Sequence, residues 1–135
     1  MQATAAATTA LQISSAVISA AMKVHSRLGP GLLESAYEAC LVQELRNRGV
    51  RVETQVPVPV VYEGMKLEAG YRIDLLVESK VVVEIKSVDA IAPVHKAQTL
   101  SYLRLSSRNL ALLINFNVVH LKDGIRRFVI GTDWK

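Results

Sequence analysis

The sequence is short of aromatic and sulfur-bearing side chains: one cysteine, one tryptophan, two phenylalanines and four tyrosines in 135 residues. A lone thiol, Cys40, excludes an internal disulfide, a cysteine zinc site and an iron–sulfur cluster held by this chain alone. Cys40 lies in a helical pattern among Leu and Ala, so the expected role is a small buried hydrophobe in a reducing, cytoplasmic setting. With aromatics at 5%, the core is expected to be Val, Leu, Ile and Ala. Charge is also missing at the start, where the first charged side chain is Lys23. No basic segment precedes the apolar part, and Gln, Thr and Ser recur through residues 2–19, which argues against a signal peptide and a membrane span. MQATAAATTA, residues 1–10, reads as a flexible N-terminus ahead of one domain over residues 11–135, with no repeat or linker.

Hydrophobic residues make up 50% of the chain and charged ones 21%, a balance that suits a single globular domain able to bury its own core. The net charge of +4 suits a polyanionic partner without demanding one. The basic residues are scattered, from Lys23 and Arg27 through Arg46, Arg48 and Arg51 to Arg126 and Arg127, so only folding would gather them.

Helical spacing runs from Leu11 to Leu28 and stops at Gly29-Pro30-Gly31. A second helix follows from Leu32, with Gly49 placed as its C-cap. VETQVPVPVVY alternates, but Pro57 and Pro59 restrict it to an edge or irregular strand. Glu63–Lys66 reads as a turn, and Leu67–Val77 and Val81–Lys86 as strands. Pro93 opens a helix to about Ser106. NLALLINF, residues 109–116, reads as a strand buried on both faces, and Arg126–Ile130 as a last strand. The expected fold is α/β, a mixed central sheet flanked by helices.

RIDLLVESKVVVEIKS, residues 72–87, carries Asp74, Glu84 and Lys86 inside its apolar runs, where charge is most costly. Glu84 and Lys86 share one strand face. A three-residue loop, Glu78-Ser79-Lys80, sets Asp74 opposite Glu84 and Arg72 opposite Lys86, whereas a one-residue slip would invert the strand. Facing carboxylates repel. Two readings answer that conflict. Lys86 pairs with one carboxylate on a solvated face, or a divalent cation takes an oxygen from each, and these hard donors suit Mg²⁺ or Mn²⁺ rather than zinc.

Two helical clusters add to this. Glu34 shares a stripe with Tyr37, Leu41 and Leu45, which points it toward the core side. There it serves the helix dipole, or reaches the metal site directly or through water. On the later helix His95, Gln98, Tyr102 and Leu105 form one stripe. Gln98 and Tyr102 are candidates for a phosphate or a water, against the alternative of a polar helix margin. His95 reads as a surface or supporting residue.

In order and spacing these residues resemble the PD-(D/E)XK nuclease superfamily, and more narrowly the GxxExxY family, whose motif stands here as Gly31-Leu-Leu-Glu34-Ser-Ala-Tyr37. The resemblance spans roughly residues 15–131 and implies a restriction-endonuclease-like αβββαβ core. It implies Asp74 and Glu84 as the two carboxylates, Lys86 as the lysine of the E-x-K element, Glu34 as the helix-one glutamate, and Gln98 and Tyr102 as a Q-x-x-x-Y element. Ile73 stands in the place of the proline. The activity implied is a Mg²⁺- or Mn²⁺-dependent nuclease acting on nucleic acid, DNA before RNA. Asp74, Glu84, Glu34 and the backbone carbonyl of Ile85 would then serve the metal. The rival expectation is a non-catalytic nucleic-acid-binding or protein-interaction module on the same fold. A homodimer through an edge strand, or a partner protein, is compatible with either.

Overall fold

The computed structural model describes residues 8–135, so most of the expected flexible N-terminus lies outside the described residues. Helix α1 (Ala10–Leu28) starts under a capping box. The Gln12 N–H donates to Thr9 Oγ1 at 3.1 Å, and the Thr9 N–H donates to Gln12 Oε1 at 2.9 Å. It ends at Gly29, whose φ of 67° is open to glycine without strain. Helix α2 (Glu34–Asn47) begins two residues later than expected, after an uncapped Leu33, and its C-cap is Arg48 rather than Gly49. Helix α3 (Pro93–Leu105) opens on proline as expected, and His95 Nδ1 accepts the Ala92 N–H at 3.0 Å. His95 is therefore a helix cap.

Among the described residues seven strands form two sheets. The larger has the order β1 (Val52–Pro57), β4 (Arg72–Val77), β5 (Val81–Lys86), β6 (Leu110–Asn115), β7 (Ile125–Val129). The β5–β6 pair is parallel, joined across α3, and the other neighbours are antiparallel. All six residues of β6 are buried, as its unbroken apolar run requires. Helices α1 and α2 bury Val17, Ala20, Ala21, Tyr37, Leu41 and Leu45 against one face of the sheet. Tyr102 and Leu103 of α3 pack with Val82 and Ala111 on the other. Among the described residues no helix is long and apolar enough to cross a membrane.

The expected strand Leu67–Val77 is broken in two. Met65–Leu67 (β3) pairs with Val60–Tyr62 (β2) in a separate hairpin, because Pro57 and Pro59 bring no N–H to continue the ladder and the chain turns at Gly70, φ 82°. Two side chains also depart from expectation. Cys40 is exposed, since the buried stripe of α2 runs through Tyr37, Leu41 and Leu45 and leaves its neighbour outside. Glu34 is exposed as well: it heads the helix, and the packed part of the stripe begins only at Tyr37.

The Tyr37 ring stacks on Phe116 at 4.6 Å between centroids. Its hydroxyl donates to the Gly29 carbonyl at 2.5 Å and accepts the Leu32 N–H at 3.2 Å. Tyr37 thus closes the turn between α1 and α2. Asn115, buried at the end of β6, holds the loop after β5 by accepting the Val88 N–H and donating to the Val88 carbonyl.

Candidate active site

Strands β4 and β5 pair through Val77–Val81, Leu76–Val82 and Leu75–Val83 across the loop Glu78–Lys80. The register is the one expected from sequence. The next rank would bring Asp74 opposite Glu84, and there the ladder stops. The expected Arg72–Lys86 rank does not form, and Arg72 pairs instead with Pro57. In place of ladder bonds, the Asp74 N–H donates to Glu84 Oε2 at 2.8 Å, and the Ile85 N–H donates to Asp74 Oδ2 at 2.8 Å. Each carboxylate is thereby anchored on the opposite strand's main chain. The two strands part around two acids held in a fixed relation.

A second irregularity sits on the other side of Asp74. Strands β1 and β4 pair on both sides of the Gln55–Asp74 rank but not at it, and Gln55 has φ 52°, a left-handed conformation inside a strand. Leu75 and Val77 pack under α1 and α2, yet Ile73, two residues before Leu75, packs under α3 with Leu76. Likewise Val52 of β1 joins the first core and Val56 the second. The strand pair changes faces at Gln55 and Asp74. Distortion of this kind re-aims side chains beside functional sites.

Electrostatics follow from burial. Glu84 is 3% exposed, and its carboxyl is pushed up to about 8, first by desolvation and then by the charge of Asp74. The Asp74 N–H and the Lys86 ammonium act in the opposite sense. Asp74 is raised by desolvation too, opposed by the Ile85 N–H and by Lys86. Lys86 is half-buried, and its charge favours ionisation of both acids. On α3, Gln98 Nε2 donates to Tyr102 Oη at 3.1 Å. Desolvation and then Glu84 raise the Tyr102 hydroxyl, which places this pair within the field of the acids.

Asp74, Glu84, Lys86 and Tyr102 therefore lie within one another's field. Glu34 reaches the cluster only electrostatically, through its effect on Glu84 and on Glu38. Among the described residues no three His, Cys, Asp or Glu groups converge closely enough to cage a metal. The donor chemistry nonetheless fits a hard cation: a buried and a half-buried carboxyl group stand together, and added positive charge would favour the ionised form of both.

A profile of the PD-(D/E)XK nuclease superfamily matches residues 11–128, which include every residue of this cluster. The chain belongs to the PD-(D/E)XK nuclease superfamily. Its mixed five-stranded sheet flanked by helices is a restriction-endonuclease-like fold. No curated protein and no solved structure matches the chain.

Sequence reasoning missed two residues beside this candidate site in the PD-(D/E)XK domain. Glu38 lies one turn beyond Glu34 and is half-buried. Its carboxyl is raised by desolvation and by the charges of Asp74 and Glu34, against a lowering hydrogen bond from Gln55. Gln55 Nε2 donates to Glu38 Oε1 at 3.1 Å and to Oε2 at 3.2 Å. Spacing alone carried a signal for Glu38, since it follows Glu34 by one helical turn. Nothing in the sequence foretold the left-handed Gln55.

Proposed function

We propose that this chain is a Mg²⁺- or Mn²⁺-dependent phosphodiester hydrolase acting on nucleic acid, with DNA as the favoured substrate, and that it belongs to the GxxExxY branch of its superfamily. The observation that carries this reading is the crosswise anchoring of Asp74 and Glu84 on each other's strands, with Lys86 beside them. Asp74, Glu84 and the Ile85 carbonyl would hold the cation, and Glu34 would support it through water. When bound, such an ion offsets the charge of the phosphate and acidifies water. Lys86 holds and orients the attacking water and meets negative charge as it develops on the phosphate. Tyr102 and Gln98, fixed to each other by their hydrogen bond, present polar groups to the scissile phosphate or its water. The strand anchors set both carboxylates before substrate arrives, so little reorganisation is left to the reaction.

Plasmid and oligonucleotide cleavage with Mg²⁺ or Mn²⁺ tests this. Lys86→Ala and Asp74→Ala should each lower the rate by about 100-fold or more. Mn²⁺ should raise the melting temperature of wild type more than that of Glu84→Ala. Among the described residues no third acid converges on the pair, which supports one other reading, a non-catalytic nucleic-acid-binding module. Tight binding without cleavage, unchanged in Lys86→Ala, would decide for it.

A further inference from the structure

The Gln55 backbone presents a puzzle. A left-handed φ of 52° is unfavourable for any residue with a Cβ, and glycine would adopt it freely. Gln55 is nonetheless held there at both ends. Its carbonyl accepts from Arg72 Nη1 at 3.4 Å, and its amide reaches both oxygens of Glu38. It occupies the one rank of the β1–β4 pair that is left open, the rank of Asp74. Its side chain also favours the ionised form of Asp74. Strain kept beside a site, where glycine would take the same backbone freely, points to work done by the side chain.

We infer that Gln55 is a positioning residue, whose amide ties the Glu38 carboxylate on α2 to the Asp74 end of the sheet and so fixes how the acids of the two layers face the bound cation. The inference rests on the metal-dependent reading above. It assigns no contact with substrate to Gln55, which acts through Glu38 and Asp74. The amide supplies N–H donors to a Glu38 carboxylate that lies within the field of Asp74.

The test is Gln55→Gly in the full chain. In EDTA the urea midpoint should equal or exceed that of wild type, because glycine relieves the left-handed backbone. The Mn²⁺ concentration that gives half the maximal thermal shift should rise by about tenfold or more, since the tether is lost. A purely structural residue would lower stability and leave that concentration unchanged, and this result overturns the inference. Glu38→Gln, alone and combined with Gln55→Gly, should show that the two losses do not add. A second readout is independent of metal: the side-chain ¹⁵N amide resonance of Gln55 should move in Glu38→Ala. No Mn²⁺ response in wild type sinks the metal-dependent reading instead. The amide resonance then judges the tether, and its indifference to Glu38→Ala overturns it.

Discussion

Glu84 makes the stability of the metal-free protein depend on pH in a direction opposite to that of a salt-bridged acid. Its carboxyl is nearly inaccessible, and burial with Asp74 alongside moves it from 4.5 to about 8. The folded state therefore binds this proton more tightly than the unfolded chain does. The associated stability is fully present below about 4.5 and is lost as pH rises through about 8. A shift of this size has a ceiling of about 4–5 kcal/mol, of which roughly 3 kcal/mol disappears between about pH 5 and pH 8. Asp74 is raised as well, and it adds to the same slope. Against a total domain stability of about 5–15 kcal/mol, the change is large enough to read. Urea unfolding in EDTA across that range should show the midpoint falling. Glu84→Gln keeps an oxygen for the Asp74 N–H but cannot ionise, so its midpoint should be flatter and, near pH 8, higher than that of wild type. A wild-type midpoint that holds or climbs with pH, or a Gln variant that tracks it, would refute the buried-acid argument.

Two further outcomes follow from packing. A Cβ on Gly124 would lie 2.1 Å from the Asn115 backbone oxygen, so Gly124→Ala should cost about 1–3 kcal/mol and lower the melting temperature. Tyr37→Phe keeps the stack on Phe116 but leaves the Gly29 carbonyl and the Leu32 N–H without their partner. A loss of about 1–2 kcal/mol in urea unfolding, with α2 intact by circular dichroism, is expected.

Where periodicity reported burial, the sequence was legible. The α1 stripe, the unbroken run of β6, the proline that opens α3 and the three-residue β4–β5 loop all appear as expected, because each depends on local geometry and a single apolar face. Asp74, Glu84 and Lys86 stood out as charges in strands for the same reason. What escaped was non-local. Whether the first turn of α2 packs depends on how far the helix overhangs the sheet, so Glu34 and Cys40 looked more buried than they are. The division of the second strand depended on where β1 ceased to offer donors. The face change at Gln55 and Asp74 needs two strands to bend together, and neither strand announces it alone.

The parallel pairing of β5 with β6 also shapes how the molecule is made. A ribosome delivers Val81–Lys86 well before Leu110–Asn115, the strand that must lie between it and β7. For that interval a valine-rich edge has no neighbour on one side, and the five-stranded sheet is not complete until β7 has emerged. Nascent chains stalled short of residue 110 should therefore be the species most prone to stick to one another or to engage chaperones.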